Sequence, residues 1–414
     1  MPMKLPADLI RLLPKTDVHL HLDGSLRPET LIDLARQHRV QLPSDTVDGL
    51  FEQVFKEKYA SLTEYLHGFQ YTVAVLQNPE SLERVAYELM EDNILEGVRY
   101  IEVRFAPHLH VHPGLGFQEV LQAVDRGLAR AAAHYNSRSE GVRSGREPRF
   151  AYGIIACAMR KFEPVYSEFY RRFFELHSYS PPKQVFQLAA VELARAVVDI
   201  RDRCGVPIVG FDLAGDEFGY PAVDFKDAYD FVHRNFMKKT VHAGEAYGPE
   251  SIFQAITECH ADRIGHGSFL FSDDMIRSPE IADRRDYVNR LSQYIADRRI
   301  TIEVCLSSNL QTNPQIHNLA EHSFGQMRAS NLSCTLCTDN RLVSRTTMCR
   351  ELGLALEHFP ITAKELKDLL VYGFKRSFYP GPYEEKRRYV RSVINYYEEL
   401  QRQHLPETLG GGEV

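Results

Sequence analysis

Short apolar runs alternate with longer segments of helical periodicity along most of the chain. The apolar runs are rich in Val, Ile and Leu and end at polar or glycine residues, which predicts buried strands. Between them, residues 81–97, 117–135 and 185–205 carry apolar side chains three and four positions apart, which predicts amphipathic helices. The predicted strands cover residues 16–21, 98–106, 152–158, 206–214, 239–243, 262–266, 300–306 and 334–339.

Strand–helix repeats of this kind predict an α/β fold with a parallel sheet, because a helix crosses over between successive strands. Eight such strands can close, so we predict one (β/α)8 TIM-type barrel over residues 1–405. Two segments exceed a minimal barrel: extra helices after strand one, within residues 40–80, and a polar insertion at 136–149, expected to be a surface loop. Residues 406–414 are expected to form a flexible tail.

Composition and charge narrow the class of protein. Hydrophobic residues make up 44% of the chain and charged residues 25%, as in ordinary globular proteins. The net charge of −7 argues against nucleic acid or an anionic membrane as the main partner. The sequence shows no membrane span and no secretory signal, and its seven scattered cysteines indicate reduced thiols. We therefore expect a cytoplasmic protein that acts on a small molecule.

Polar side chains stand where several predicted strands end. In a barrel these carboxyl ends form one mouth, which holds the working residues. His19 and His21 are two apart on strand one and so point to the same side of the sheet. The ends of strands five, six and eight add His242, His266 and Asp339. Four imidazoles and one carboxylate are therefore expected to converge at the mouth.

Such a donor set suits a divalent metal ion. Three neutral imidazoles and a carboxylate match the ligand preference of zinc and leave one position for water, which becomes a nucleophile near neutral pH. Glu245 follows His242 by three residues, close enough to act as a general acid or base. One buried histidine alone is more often a packed core residue, but several at strand ends favour the metal.

Another set of alternating histidines has a weaker claim to a metal. His108, His110 and His112 follow strand two, but Pro113 and Gly114 come next, which favours a loop over a second metal site. The chain has no H-E-x-x-H, G-x-S-x-G or G-x-x-x-x-G-K-[ST] pattern, so zincin, serine-hydrolase and P-loop chemistry are not indicated.

Two residue pairs receive structural interpretations. Cys334 and Cys337 form a C-x-x-C with no second copy, and we interpret them as packed thiols. Glu102 and Arg104 share one face of strand two, and we interpret them as an interior ion pair. The end of strand four offers no lysine to bridge two metals, which favours a single ion.

Five motifs in order resemble the adenosine deaminase family. They are HLHLDGSLRPET, GFDLAGDE, VHAGE, RIGHG and TDN, and their order and spacing agree over almost the whole chain. The resemblance implies a (β/α)8 barrel, one zinc ion per chain and hydrolytic removal of the 6-amino group of a purine nucleoside. Adenosine and 2′-deoxyadenosine would give inosine and 2′-deoxyinosine plus ammonia.

The resemblance also implies roles at the metal. The zinc ligands would be His19, His21, His242 and Asp339, and His21 would also face the substrate. Glu245 would protonate purine N1, which makes C6 electrophilic. A sixth residue, His266, would orient the attacking water and help to remove its proton, and Asp339 would help to position that water.

Further implied residues would bind the nucleoside. Gly215 would bring its backbone N–H to purine N3, and Asp23 would accept a hydrogen bond from the ribose. Relatives that act on free adenine resemble this pattern with Glu at the place of Asp23, so Asp23 favours a nucleoside. Many members have a second acidic residue where this chain has Asn340. A carboxylate must be protonated before it can donate to purine N7, whereas the amide NH2 of Asn340 can donate directly.

The segment 59–70 resembles the helix that gates the pocket in this family. An apolar stripe at helical spacing runs along it and either lines the pocket or only packs on the barrel. Met159 is expected to line the pocket as well. The stripe consists of Leu62, Tyr65, Leu66 and Phe69.

Other functions stay open at this point. The same fold could deaminate another 6-aminopurine, such as aminodeoxyfutalosine, a 5′-modified adenosine or adenine. A catalytically idle binding barrel, like the growth-factor relatives of the family, is disfavoured because every catalytic position is filled. Iron, manganese or cobalt would fit the same ligands, and the sequence predicts no oligomeric state.

Overall fold

The computed structural model describes residues 4–313 and 315–404. Within these residues, eight parallel strands form one sheet whose spatial order follows the chain. The predicted (β/α)8 barrel is therefore confirmed. The strands are Lys15–His21 (β1), Val98–Phe105 (β2), Ala151–Met159 (β3), Ile208–Ala214 (β4), Lys238–Ala243 (β5), Arg263–His266 (β6), Thr301–Val304 (β7) and Ser333–Leu336 (β8).

Helices fill the connections between the strands and surround the barrel. Those before β3 are Ala7–Leu12 (α1), Pro28–His38 (α2), Val47–Gln53 (α3), Leu62–Leu66 (α4), Phe69–Val75 (α5), Pro79–Leu95 (α6), Phe117–Arg138 (α7) and Glu140–Arg143 (α8). Those after β3 are Glu168–Leu176 (α9), Pro182–Cys204 (α10), Lys226–Arg234 (α11), Pro249–Thr257 (α12), Arg284–Arg298 (α13), Leu306–Thr312 (α14), Phe324–Ala329 (α15), Met348–His358 (α16), Ala363–Arg376 (α17) and Tyr383–His404 (α18). Short 3₁₀ helices occur at Pro107–Leu109, Pro164–Tyr166, Ala222–Phe225, Asp273–Met275 and Leu319–Glu321.

A single residue closes the barrel between β8 and β1. The backbone N–H of Asp339 donates to the carbonyl of His19 at 2.9 Å, and its carbonyl accepts from the N–H of His21 at 2.8 Å. Asp339 lies beyond β8, which ends at Leu336 rather than at 339 as predicted. Closure thus holds the segment that carries Asp339 directly against the two histidines of β1.

The seventh strand is also shorter than predicted, because Leu306 already begins α14. The outer layer packs closely against the barrel and against itself. At the contact of α6 and α7, the place of Gly127 has no room for a side chain, because a Cβ there would overlap the carbonyl of Glu83. Val120 and Val124 of α7 are fully buried in this layer.

The two predicted excursions are present, with one correction. Helices α3, α4 and α5 lie in the connection after β1, as expected. The predicted loop at 136–149 is partly helical, because α7 continues to Arg138 and the side chain of Ser139 caps the N-terminus of α8. The segment stays at the surface, where Arg149 pairs with Glu385 of α18.

No helix in residues 4–313 and 315–404 is long and apolar enough to cross a membrane. The predicted tail at 406–414 lies outside the described residues. The domain boundary at 405 stays a prediction.

Candidate active site

Imidazoles and one carboxylate meet at the mouth of the barrel. Ligand atoms of His19, His242, His266 and Asp339 all lie within 4.8 Å of one another, and all four residues are buried. Nε2 of His21 reaches the same place, 3.4 Å from Asp339 Oδ1 and 3.3 Å from Nε2 of His242. Within the described part of the chain, this is the one group of three or more such side chains close enough to hold a metal ion.

Two of these residues have unusual backbone conformations. His266 has a φ of 65° and Asp339 a φ of 61°, in the left-handed region that residues with a side chain rarely adopt. Such a conformation costs about 1–3 kcal/mol and persists only where the surroundings enforce it. At Asp339 the two hydrogen bonds to β1 enforce this conformation. The hydrogen bonds that close the barrel therefore also orient this carboxylate.

Carboxylates behind two of the imidazoles set the proton position on each ring. Nδ1 of His19 lies 2.8 Å from Glu303 Oε2, and Nδ1 of His242 lies 3.1 Å from Asp212 Oδ2. Because Nδ1 donates to a carboxylate, Nε2 keeps its lone pair for a metal. Burial lowers the pKa of His19, but the carboxylates of Asp339, 3.4 Å from Nε2, and Glu303, 2.8 Å from Nδ1, outweigh burial and raise it. Nε2 of His19 is buried without a hydrogen-bond partner, so its lone pair is available and the donor set fits a metal ion.

Two buried arginines hold these carboxylates from inside the barrel. Arg104 donates to Asp212 Oδ2 at 3.0 Å and to Glu303 Oε2 at 2.9 Å. Arg263 donates to Glu303 Oε1 at 2.6 Å and also pairs with Glu102. The predicted ion pair between Glu102 and Arg104 is therefore wrong. Strand spacing does place both in the interior, but each meets its partners on other strands.

Protonation states at the mouth follow mainly from burial. Burial lowers the pKa of His242, and it lowers the pKa values of His21 and His266 well below the ordinary range, so these rings are neutral. Burial disfavours the charge of Asp339, but His19, whose Nε2 lies 3.4 Å from Oδ1, and the other surrounding imidazoles hold its pKa well below its usual range. Neutral imidazoles with one ionised carboxylate are the donors that zinc prefers.

Glu245 lies in the loop after β5, next to His266. Its Oε2 is 3.8 Å from Nε2 of His266, and its side chain is 8% exposed. Burial, together with the charges of Asp339 and Glu217, raises the pKa of Glu245 to about 8. Glu245 is therefore protonated at neutral pH and can donate a proton to a bound molecule.

Glu217 holds the loop that carries Glu245, a role that no sequence pattern predicted. Its buried carboxylate accepts hydrogen bonds from the backbone N–H groups of residues 244–247 at 2.7 to 3.2 Å, and another from Ser251 Oγ. Both oxygens of a carboxylate accept hydrogen bonds and share these five donors, whereas a neutral amide has only one accepting oxygen. Glu217 therefore fixes the position of Glu245.

One carboxyl oxygen of Asp23 is buried and receives no hydrogen bond. The residue is 4% exposed, and its Oδ1 is buried without a hydrogen-bond partner. Burial raises the pKa of Asp23 to about 7. A buried acceptor of this kind is costly unless a ligand donates to it.

Two further predicted residues adjoin each other across β3 and β4. Gly215 directly follows β4 with a φ of 94°, where a side chain would be strained. A Cβ at this position would contact Cε of Met159, the last residue of β3, at 3.6 Å. This contact is an ordinary one, so the backbone conformation, and not a lack of space, requires glycine at this edge of the mouth.

The predicted gating helix is broken into two pieces. α4 ends at Leu66 and α5 begins at Phe69, so the stripe does not run along one continuous helix. Leu62, Leu66 and Phe69 are partly buried and pack against the core. Their contact with a substrate stays a prediction.

Tyr65 connects this segment to the mouth. Its hydroxyl accepts a hydrogen bond from Nδ2 of Asn340 at 2.8 Å and lies 3.1 Å from Ser344 Oγ. Tyr65 is only 2% exposed, and Asn340 directly follows Asp339. The amide predicted to face the purine is thus already oriented by the segment that covers the barrel.

The other alternating histidines serve packing. His108 stacks on Phe169 with ring centroids 3.9 Å apart, and Nδ1 of His110 lies 2.9 Å from the carbonyl of Leu76. Nε2 of His112 lies 3.0 Å from the carbonyl of Gln77, so each ring has its own partner. The two thiols of the C-x-x-C motif, like the other five cysteines, are unpaired.

Residues of α14 complete the surroundings of the mouth and were also missed. Ser308 Oγ donates to Asp339 Oδ2 at 2.6 Å, and Nδ2 of Asn309 lies 3.0 Å from Nδ1 of His266. Asp212 and Glu303 could have been identified from the sequence, because each is a carboxylate within an otherwise apolar strand. Ser308 and Asn309 of α14 could not have been identified in this way, because a helix after β7 was not expected to begin so early.

Solved structures share this architecture. An amidohydrolase from Burkholderia ambifaria with bound Zn has a TM-score of 0.75 and 20% identity, covering 97% of this chain and 96% of its own. An adenine deaminase from Arthrobacter aurescens has a TM-score of 0.71 and 20% identity, covering 93% and 99%. At this level of identity the likeness shows the fold alone.

Sequence relatives carry the assignment further. The chain is 36% identical over 405 residues to adenosine deaminase 1 of Streptomyces coelicolor, covering 96% of this chain and 90% of the relative. It is 36% identical to an adenosine deaminase of Mycobacterium marinum, covering 94% and 96%. The adenosine deaminase family model matches residues 14–168 and 184–396. The chain therefore belongs to the adenosine deaminase family and is an enzyme of adenosine-type deamination.

Proposed function

We propose that this enzyme hydrolyses adenosine and 2′-deoxyadenosine to inosine and 2′-deoxyinosine plus ammonia, with one zinc ion. The observation that carries the proposal is the placement of Glu245, protonated at neutral pH, beside a cluster of buried metal-binding side chains. Family membership supplies the reaction class, and the donor set supports zinc.

His19, His21, His242 and Asp339 would hold the metal. The rings of His19 and His242 turn their Nε2 lone pairs to the mouth, because their Nδ1 atoms face carboxylates. When bound, a zinc ion supplies Lewis acidity, which makes water a nucleophile near neutral pH. A relative in fold contains Zn, which agrees with this choice of metal.

The protein side chains act on the purine and on the attacking water. Glu245 donates its proton to N1 while water attacks C6, so negative charge does not build up on the ring. Asp339, fixed by Ser308, and His266 position the water over C6. Of the two protons of the water, one passes to the 6-amino group and the other restores Glu245. The C6–N bond then breaks, ammonia leaves, and the product keeps the proton on N1.

Asp23 and Gly215 favour a nucleoside as the substrate. A ribose hydroxyl is the donor that the buried Oδ1 of Asp23 lacks. Gly215 leaves room for its backbone to approach the purine near N3. Free adenine would leave the acceptor of Asp23 unsatisfied.

The cysteines support a cytoplasmic location as part of the proposal. All seven are unpaired, and five of them are buried. Thiols persist in this state in a reducing compartment.

Replacing Tyr65 should alter recognition of purine N7. One N–H of the Asn340 amide donates to the Tyr65 hydroxyl, which leaves the second for N7. We expect wild-type kcat/KM to be about tenfold lower for 7-deazaadenosine than for adenosine, and Tyr65→Phe to reduce this ratio to about twofold. Tyr59→Phe, in the neighbouring ring, should keep the wild-type ratio. Equal ratios in all three proteins would refute the role.

Replacing Glu217 should lower turnover without loss of metal. Glu217→Gln cannot accept all the hydrogen bonds of residues 244–247, so Glu245 loses its fixed position, and we expect kcat to fall roughly tenfold to a hundredfold. Removing this anion also lowers the pKa of Glu245, so the alkaline limb of the pH profile should move to lower pH.

A matched control for Glu217 is Glu250→Gln. Glu250 also accepts two backbone N–H groups, those of Arg277 and Ser278, but outside the metal-binding cluster. Its replacement should leave kcat and the alkaline limb unchanged. An unchanged limb in Glu217→Gln would show that Glu217 does not act on Glu245.

A substrate panel tests the proposed function. Ammonia release is measured with adenosine, 2′-deoxyadenosine, a 5′-substituted adenosine, adenine and AMP. We expect the two nucleosides to be turned over far faster than adenine or AMP. Activity confined to the 5′-substituted compound, to adenine or to AMP would replace the proposed substrate.

A further inference from the structure

A line of buried polar groups runs from the backbone of α15 to His266. The N–H of Phe324 donates to Nδ1 of His322 at 3.0 Å. Nε2 of His322 lies 3.1 Å from Oδ1 of Asn309, and Nδ2 of Asn309 lies 3.0 Å from Nδ1 of His266. His322, Asn309 and His266 are each 2% exposed or less, so water does not compete for these hydrogen bonds.

The first hydrogen bond fixes the direction of all the others. A backbone N–H can only donate, so Nδ1 of His322 is an acceptor and bears no proton. Burial lowers the pKa of His322 to about 4, so the ring is neutral and its one proton is on Nε2. That proton is donated to Oδ1 of Asn309, which turns the amide NH2 toward His266.

We propose that His322 and Asn309 are positioning residues that hold His266 with its proton on Nε2. Nδ1 of His266 accepts from the Asn309 amide, so the neutral ring must carry its proton on the opposite nitrogen. That nitrogen faces the mouth, 3.8 Å from Glu245. The catalytic consequence rests on the proposed function, whereas the proton position does not.

The hydrogen bonds from Phe324 through His322 and Asn309 to His266, which we call the relay, give His266 a different role from its neighbours. In His19 and His242 a carboxylate takes the Nδ1 proton, which leaves Nε2 as a lone pair for a metal. In His266 an amide donor occupies Nδ1, which leaves an N–H directed into the mouth. His266 therefore donates a hydrogen bond there and cannot take the proton of the water, the role that the family resemblance implied. It does not complete the ligand set, although its ring lies 4.8 Å from that of His19 and the ring of His21 lies 5.4 Å away.

Nitrogen spectra of zinc-loaded protein with ¹⁵N-labelled histidine test the relay. The wild-type His266 signals, assigned with His266→Gln, should show the proton on Nε2 and a bare Nδ1. In His322→Leu the Asn309 amide is free to turn, so the His266 signals should shift toward a mixture of the Nε2-protonated and Nδ1-protonated forms. We expect kcat to fall about tenfold. His322→Gln keeps an amide N–H for Asn309 and should restore both readouts.

His110→Leu is the matched control, because it removes another buried imidazole that bonds through Nδ1 to a carbonyl, that of Leu76. It should leave the His266 signals unchanged. A proton on Nδ1 of wild-type His266 would overturn the proposal, as would wild-type signals in His322→Leu. The wild-type spectrum and His322→Gln decide the matter even where His322→Leu does not fold. A protein that shows the expected spectrum but does not deaminate adenosine would refute the proposed function and leave the relay intact.

Discussion

Glu245→Gln should lower turnover of adenosine by about a hundredfold to ten-thousandfold while the metal content stays unchanged. The amide has nearly the shape of the protonated acid but cannot give up a proton to purine N1. Glu245 is not one of the clustered metal-binding residues and lies 3.8 Å from His266, so metal binding should survive. Steady-state ammonia release, together with metal analysis of the same preparations, measures both quantities.

The pH dependence of the wild type follows from the same residue. Burial raises the pKa of Glu245 to about 8, and in the proposed mechanism its protonated form is the active one. Turnover should therefore be retained below this value and fall as the pH rises through it. Near-normal turnover by a folded Glu245→Gln protein would remove Glu245 from the mechanism, and an alkaline limb that persists in that variant would belong to another group.

Loss of the metal should have the second large effect. His242→Ala removes one donor and takes one partner from Asp212, which Arg104 still pairs with behind the site. We expect little bound metal and a fall in turnover of about a thousandfold or more, because the Lewis acid is lost. Chelated wild-type protein should behave in the same way and recover when zinc is added back.

Asp212→Asn separates metal binding from chemistry. The variant keeps His242 but weakens the partner of its Nδ1, so zinc affinity should fall roughly tenfold to a hundredfold. Saturating zinc should restore most of the turnover, which it cannot do in His242→Ala. Full turnover by chelated, metal-free wild-type protein would contradict the proposed metal dependence.

The fold could be predicted from the chain because its signals are local. Alternation of short apolar runs and helical segments marks each βα unit, and eight units imply closure. The errors lie at strand ends, such as Leu306 and Asp339, where tertiary contacts decide the conformation. The left-handed backbone of Asp339 depends on hydrogen bonds to β1, more than 300 residues earlier in the chain, and no local pattern contains that information.

The chemical groups of the site were readable where they stand at strand ends. His19, His242 and Asp339 were found in this way, because the carboxyl ends of parallel strands share one edge. Asp212 and Glu303 were missed although both lie in apolar strands, since their function depends on which imidazole they face. For Glu102 and Arg104 the prediction paired two neighbours on the same strand. Their actual partners, Arg263 for Glu102 and Asp212 for Arg104, lie on other strands of the barrel.

The positioning residues could not have been predicted. Glu217 acts through the backbone of residues 244–247, and backbone N–H groups have no sequence signature. His322 depends on the start of α15 and on an amide of α14, two elements that meet only in the folded chain. A motif search finds groups that touch substrate or metal more readily than the groups that hold them.

The most direct test of the central claim is the reaction of the purified enzyme with adenosine, followed by simultaneous measurement of inosine and ammonia. We predict one ammonia for each inosine, inhibition by a chelator, recovery with zinc, and a loss of at least about a hundredfold in Glu245→Gln. A folded, zinc-loaded wild-type protein that forms no inosine from adenosine would contradict the account.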